Sequence, residues 1–209
     1  MAGEKVSIPR PPASVTPKNF FEDWLPATLA EMMKVIQENM GDLALTLGFR
    51  VTGADGGDWS VVIVKGGVSA SPGIKPNAAV TLALSRENFF EAVIGERDDL
   101  LPGLPWLKKG GQGDPAEIGK QIRNGAKYLE AMKGTILFRA EDPARPFSCL
   151  LQFHGETKTD PDTTITIDQE VLREIGRGET TILNAFMSGH IKIGGAMHLI
   201  LQFASLVMK

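Results

Sequence analysis

TTITIDQEVLREIGRGE, residues 163–179, repeats the pattern of VTLALSRENFFEAVIGE, residues 80–96. Aligned without gaps at an offset of 83, the two stretches are identical at five of 17 positions: Thr81/Thr164, Glu87/Glu170, Glu91/Glu174, Gly95/Gly178 and Glu96/Glu179. Their apolar residues also coincide, on alternate positions of a strand and then on one face of a helix. The chain is therefore predicted to contain an internal duplication of a strand-then-helix unit.

The same order of elements surrounds each copy. From Pro26 to Leu47, apolar residues recur at spacings of three and four, which predicts a long amphipathic helix. Strands are predicted at FRV from Phe49, at WSVVIV from Trp59 and at VTLAL from Val80, with a Pro/Gly loop before the last. The second half gives a helix over PAEIGKQIRNGAKYLEAM, then strands TILFR, FSCLLQF and TTITI, then a helix over DQEVLREIG.

The duplication predicts the domain organisation. Residues 1–17 carry four prolines and few apolar side chains, so we expect a flexible arm outside the fold. A first unit is predicted over residues 18–113 and a second over residues 114–209. The first is expected to be remodelled at its end, because ERDDLLPGLPWLKKGGQGD does not read as the strand and helix that complete the second.

The last helix carries few polar residues, and these form one narrow stripe: His198, Gln202, Ser205 and Lys209. A helix of this kind has to be covered on most of its sides. It either completes the core of a small α+β domain or also contacts an apolar ligand.

The motif AFMSGHIKIGG, residues 185–195, is the most specific one in the chain. Its Phe, Gly, Ile-Lys-Ile and Gly follow the spacing Phe-X-X-Gly-X-Leu/Ile-Lys-Ile/Val-X-Gly, on the residues Phe186, Gly189, Ile191, Lys192, Ile193 and Gly195. In this spacing the C-terminal segment resembles the sterol carrier protein family. Two departures are His190, where the family often has Lys, and Ala196, where an Asp or Asn commonly caps the final helix. The first unit matches more loosely, through GFRVTG, WSVVIV and AAVTLAL.

The resemblance implies an α+β fold in which helices pack on one face of a twisted, mainly antiparallel sheet. Sheet and helices would enclose an apolar tunnel, in tandem sterol-carrier-like repeats. It also implies a carrier of sterols, fatty acids, acyl-CoA or similar lipids that needs no cofactor and is not an enzyme. The alternative function is a module that has lost its cavity and acts in protein association or regulation.

Ligand contacts are expected from apolar residues in three places. These are Met32, Met33, Ile36 and Met40 of the first helix, Trp106 of the loop LLPGLPWLKK, and Phe186, Ile191, Met197, Ile200, Leu201 and Ala204 of the final unit. Methionine adapts to ligands of irregular shape, and an apolar loop needs a surface to lie on. Plain core filling is the alternative for each of them.

The net charge of the chain and the length of its apolar runs limit the kinds of partner that are expected. The net charge is −3, and no segment concentrates Lys and Arg, so nucleic acid is not expected as a partner. No apolar run reaches the roughly 18 residues of a membrane span, and the N-terminus does not read as a signal peptide. We therefore expect a cytoplasmic protein with a lipid partner and transient membrane contact; no oligomeric state is predicted.

The sequence contains no recognisable catalytic or metal-binding pattern. The three histidines, His154, His190 and His198, do not have metal-ligand spacing, and the glycine-rich pieces lack a phosphate-binding motif. Cys149, the single cysteine, lies in FSCLLQF and is expected in a buried strand. We therefore predict no catalytic residue, no metal and no cofactor.

Overall fold

The computed structural model describes residues 9–94 and 113–207, and one sheet organises them. The strands are β1 Ala44–Thr52, β2 Gly57–Val64, β3 Gly67–Pro72, β4 Val80–Ser85, β5 Gly134–Glu141, β6 Phe147–Phe153, β7 Thr163–Asp168 and β8 Ile191–Gly195. The helices are α1 Pro17–Asn19, α2 Leu25–Ile36, α3 Arg86–Val93, α4 Pro115–Ala131, α5 Gln169–Arg177, α6 Ile182–Met187 and α7 Met197–Val207. A π-helical turn, Phe20–Trp24, joins α1 to α2, and a 3₁₀ turn, Gln37–Asn39, follows α2.

The strands are ordered β3-β2-β1-β4-β6-β5-β7-β8. Neighbours run antiparallel except in the pairs β1–β4 and β5–β7, which are parallel. Each parallel pair belongs to one copy of the repeat and is connected through a hairpin partner. The predicted α+β class with a mainly antiparallel sheet is confirmed.

The duplication in the sequence reappears in the strand order. The triplets β2-β1-β4 and β6-β5-β7 have the same order and the same directions. Leu47 lies opposite Val80 in the first parallel pair, and Ile136 lies opposite Thr163 in the second. Val80 and Thr163 are the residues that the offset of 83 aligns. The antiparallel ladder between β4 and β6 then joins the two triplets into one sheet.

The helices after β4 and β7 begin at matching positions as well. The Ser85 hydroxyl accepts a hydrogen bond from the Asn88 amide at 3.2 Å, and the Asp168 carboxylate accepts one from the Glu170 amide at 2.8 Å. Ser85 and Asp168 are aligned by the same offset, and each satisfies a backbone N–H that the first helical turn leaves without a partner. The strand-to-helix junction is therefore built twice in the same way.

One face of the sheet carries the apolar side chains, and the helices cover only this face. Strand residues alternate between faces, and the registers place Leu47, Leu82, Leu151 and Ile165 on the same side. The helical side chains that pack there are Met33 and Ile36 of α2, Phe89 of α3, Ala126 of α4, Leu172 of α5, Ala185 of α6 and Leu199 of α7. The prediction that helices pack on one face is confirmed.

The opposite face buries polar side chains under two loops. The Ser60 hydroxyl donates to the Gly73 carbonyl and accepts from the Lys75 amide, both at 2.8 Å. The Gln152 amide donates to the Lys158 carbonyl at 2.9 Å. The loops before β4 and β7 therefore seal the two halves of this face through hydrogen bonds, which offset the cost of burying polar groups.

Two predicted element boundaries are wrong. The helix predicted to run to Leu47 ends far earlier, because Gly41 adopts a left-handed φ of 62° and β1 begins at Ala44. The segment read as a Pro/Gly loop contains β3, an edge strand. Its sequence GVSASP has only Val68 and Ala70 to pack on the apolar face, which is a weak signal for a strand.

The described part of the N-terminal arm packs on the protein. Val15 is buried in a cluster with Phe21, Trp59 and Phe89. Among the described residues, no helix has both the length and the apolar character needed to cross a bilayer.

Candidate functional site

The centre of the apolar face is incompletely covered. Four of its side chains, Leu82, Phe138, Leu151 and Ile165, are only half-buried although none of them lies on an edge strand; we call them the central floor. Leu82 lies opposite Leu151, and Phe138 lies opposite Ile165. Apolar residues in the interior of a helix-covered sheet are normally buried, so the apolar surface of the floor is less completely covered than usual.

Two buried clusters bound the floor. One cluster lies under α5 and α6 and consists of Ala140, Phe147, Cys149, Ile167, Val171, Leu172 and Ala185. The other lies under α4 and α7 and consists of Val80, Met132, Ile136, Phe153 and Leu199. Leu82 and Leu151 pack against both clusters. The floor therefore spans the space between two groups of helices.

Exposed apolar side chains lie on the helices that flank β8. On α6, Leu183, Phe186 and Met187 fall on one helix face, and Met187 is 75% exposed. On α7, Met197 and Leu201 are four residues apart, and Leu201 is 67% exposed. Elsewhere in the described ranges, Val35 and Val64 are the other exposed large hydrophobic residues. Exposed apolar surface is thus concentrated at the C-terminal edge of the sheet.

The structure separates the predicted ligand contacts of the first helix from those of the final unit. Met32, Met33, Ile36 and Met40 are buried in a cluster with Ile118 of α4. They pack toward Ile63 and Val68, near the other end of the sheet. Their contact with a ligand stays a prediction.

The predicted contacts of the final unit lie in different environments. Ile191 packs against the cluster under α5 and α6, and Ile200 is buried on α7. Phe186, Met197 and Leu201 are exposed on the flanking helices. Ala204 lies within α7, and Trp106 lies outside the described residues.

Sequence reasoning missed the floor itself. Alternation predicts which face Leu82, Leu151 and Ile165 lie on, but not how completely helices cover that face. The alignment of Leu82 with Ile165 in the two copies is the signal that the sequence offers. The apolar face of β4 recurs in β7, so a floor shared by both copies was implied at the junction.

Two clefts of the described structure are lined by charged side chains. A cleft of about 170 Å³ is lined by Glu141, Thr166, Asp168, Gly189, His190 and Lys192. A second cleft, of about 440 Å³, is lined by Ser85, Glu87, Asn88, Glu91, Ala144, Arg145, Pro146 and Ser148. The first cleft mixes two carboxylates with a lysine and a histidine, and strand alternation places Thr166 and Lys192 away from the central floor.

No three His, Cys, Asp or Glu side chains in the described ranges are grouped as a metal site would need. Burial raises the pKa of Cys149 to about 12, so this residue stays a thiol at neutral pH and is not a nucleophile. The central floor itself offers aliphatic and aromatic carbon.

The architecture defines the class of protein as an α+β fold with an open apolar floor between sheet and helices. The model of the SCP-2 sterol transfer family matches residues 116–208. The resemblance to the sterol carrier protein family is thereby confirmed for this part of the chain, and it supports lipid binding or transfer in general terms. No curated protein matches the chain.

Several solved structures are similar to part of the chain. The crystal structure of sterol carrier protein 2 like 2 from Aedes aegypti is 16% identical and covers 44% of this chain and 98% of its own, with a TM-score of 0.30. The sterol carrier protein domain 2 of Helicoverpa armigera is 24% identical and covers 43% and 78%, with a TM-score of 0.32. Sterol carrier protein 2 from Yarrowia lipolytica in its apo form is 15% identical and covers 42% and 77%, with a TM-score of 0.30.

Proposed function

We propose that the protein binds and carries a hydrophobic small molecule, a lipid, between the central floor and the helices above it. The observation that carries this proposal is the half-burial of Leu82, Phe138, Leu151 and Ile165 on the adjacent interior strands β4, β6, β5 and β7. Each methylene of a ligand removed from water contributes about 0.8 kcal/mol. A chain of ten or more carbons on this floor therefore has a sufficient driving force for binding.

The surroundings of the floor favour a carrier over an enzyme. Acid–base catalysis needs titratable groups within hydrogen-bond reach of the reacting atoms. Glu141, Asp168 and Lys192 line a cleft, and their alternation along the strands directs them away from the floor. A lipid on the floor would instead meet apolar carbon from below and from both bounding clusters.

The ligand contacts proposed for the final unit are Phe186, Ile191, Met197, Ile200, Leu201 and Ala204. Together with the floor they would enclose a tunnel, with α6 and α7 at its two sides. Sterols, fatty acids and acyl-CoA all present the required apolar body. Shape discriminates among them, because apolar walls add about the same free energy for each methylene.

The exposed side chains of α6 suggest how a lipid enters. We propose that Phe186 and Met187 touch a bilayer transiently while the lipid moves to the floor. Residues 180–209 contain no Asp or Glu. The side chains of this segment therefore carry no negative charge that lipid phosphate groups would repel.

The test of membrane entry is the rate at which the protein extracts a fluorescent fatty acid from phosphatidylcholine vesicles. Met187→Ser should slow extraction several-fold while equilibrium binding in solution is unchanged. Val64→Ser, at an exposed position on β2, is the matched control. Equal extraction rates for the two variants would exclude α6 as the contact.

The experiment that tests the carrier function is native mass spectrometry of the freshly purified protein, followed by organic extraction of any bound molecule. We expect a bound lipid, or uptake of added fatty acid by the empty protein. A protein that is empty and takes up no lipid, but forms oligomers as its concentration rises, would instead be an association module.

A further inference from the structure

Gln169, the first residue of α5, has a buried amide with no hydrogen-bond partner. The side chain is 2% exposed, and neither Oε1 nor Nε2 has a partner within the described structure. Burying an amide without a hydrogen bond costs folding free energy, whereas an amide at the surface would bond to water at no such cost. Because solvent does not reach either atom, a partner has to come through the apolar interior.

Several other buried polar side chains of the described chain have hydrogen-bond partners. Gln152 is equally buried, at 2% exposed, and its amide donates to the Lys158 carbonyl at 2.9 Å. Thr135 bonds to Asp162, and Ser60 bonds to Gly73. Among the described residues, Gln169 is the one whose side-chain oxygen and nitrogen are both buried without a hydrogen bond.

The position of Gln169 relates it to the central floor. Residues three apart on a helix share a face, so Gln169 lies on the same face of α5 as Leu172, which is also buried. Leu172 belongs to the cluster that packs against Leu82, Phe138 and Leu151 of the floor. The amide thus lies on the face of α5 that packs against this cluster.

The first copy of the repeat has a similar exception at the aligned position. The offset of 83 places Arg86 on Gln169, and Arg86 is likewise the first residue of its helix, α3. The Arg86 Nε atom is also buried without a hydrogen-bond partner, while its guanidinium lies 4.7 Å from the centre of the Phe90 ring. Both copies therefore bury an N–H donor without a hydrogen-bond partner at the aligned position.

We infer that the Gln169 amide binds the oxygen-bearing head group, a hydroxyl or a carboxyl, of a lipid whose apolar body lies on the central floor. This inference rests on the proposed carrier function. An amide has one acceptor and two donors, so it matches a hydroxyl or a protonated carboxyl, which both donate and accept. A buried hydrogen bond of this kind selects for the head group, whereas the floor binds the hydrocarbon without selection.

The test compares dodecanoic acid, dodecanol and dodecane as competitors for a bound fluorescent fatty acid, on the native protein and on Gln169→Met. Methionine keeps the length of the side chain and removes its polar atoms. We expect the variant to bind dodecanoic acid or dodecanol roughly tenfold more weakly, with dodecane unchanged. Whichever of the two polar competitors loses affinity identifies the head group as carboxyl or hydroxyl.

Stability gives the second readout. Without a lipid, Gln169→Met should raise Tm by roughly 2–4 °C, because it removes an unsatisfied buried amide. Gln152→Met is the matched control: it breaks a satisfied hydrogen bond, so it should lower Tm and leave the preference among the three competitors unchanged. Gln169→Leu should repeat both effects of Gln169→Met with a different side-chain shape.

Three outcomes would overturn the inference. A lower Tm or loss of folding in both Gln169 variants would show that the amide has a structural partner. A raised Tm with unchanged relative affinities would show that no head group uses it. If the native protein binds none of the three competitors, the carrier function itself fails, and the inference fails with it.

Discussion

Leu82 of β4 and Leu151 of β6 lie directly opposite each other in the ladder that joins the two repeats. This pair is both the seam of the sheet and the middle of the central floor. A site built on the seam belongs to neither copy alone, because one copy supplies β4 and the other supplies β6.

Filling the floor should block binding without unfolding the protein. Leu151→Trp adds a large side chain to a half-buried position, so it occupies the space of a lipid rather than overpacking a closed core. We expect at least a tenfold loss of affinity for a fluorescent fatty acid, with circular dichroism unchanged. Leu150→Trp is the control, since Leu150 is also half-buried but points to the opposite face. Equal affinities for the two variants would remove the floor from the site.

The seam also predicts how the second unit behaves alone. Residues 114–209 without the first unit would leave unpaired the edge of β6 that faces β4 over Leu150–Phe153. An exposed strand edge with apolar side chains favours self-association. We expect this fragment to form concentration-dependent oligomers in analytical ultracentrifugation, and co-expression with residues 1–113 to give a 1:1 complex. A stable monomeric fragment would instead support two independent domains with the predicted boundary at 113/114.

The repeat shows which features of the fold the sequence predicts and which it does not. The offset of 83 locates β4, β7 and the helices after them, because strand alternation and helix periodicity are local properties. The pairing of β4 with β6 links residues about 70 positions apart in sequence and leaves no local pattern. The same holds for the burial of Leu82 and Leu151, which depends on where helices from both units come to rest. Candidate contacts on helices were therefore easier to name than the floor beneath them.

Stability should depend on pH through Asp162. Hydrogen bonds from the Lys158 ammonium and then from the Thr135 hydroxyl and amide lower the pKa of the Asp162 carboxyl. Its pKa in the folded state is thus below the value of about 4 expected in the unfolded chain. The resulting stabilisation is fully present above about pH 4 and is lost as pH falls through the folded-state pKa.

Replacing Asp162 tests this directly. Asp162→Asn should lower Tm at pH 7 and differ less from the native protein as pH approaches 2.5, in a fluorimetric melting series. Asp160→Asn, an exposed change in the same loop, should leave Tm within about 1 °C at every pH. A Tm difference for Asp162→Asn that stays constant with pH would contradict the assignment.

Backbone conformation explains why glycine occupies two positions of the motif AFMSGHIKIGG. Gly189 and Gly195 have φ values of 76° and 96°, in the left-handed region that side chains disfavour. At Gly195 a Cβ atom would also collide with the Asp162 carbonyl oxygen and lie 3.0 Å from the Thr163 Cα. That carbonyl accepts the Ala196 amide at 3.0 Å, which holds the end of β8 against the start of β7.

Neighbouring glycines of β8 therefore should respond very differently to alanine. Gly195→Ala forces both backbone strain and a displacement of β7, so we expect a loss of at least about 2 kcal/mol in the free energy of unfolding. Gly194→Ala meets no atom within 4 Å and has no left-handed φ, so its effect should stay within about 0.5 kcal/mol. Urea denaturation of both variants measures the difference.

Because Thr163 lies opposite Gly195 and begins the strand that carries Ile165, the same displacement should weaken fatty-acid binding in Gly195→Ala alone. A Gly195→Ala protein with native stability would show that this end of β8 is not fixed by its contact with Asp162.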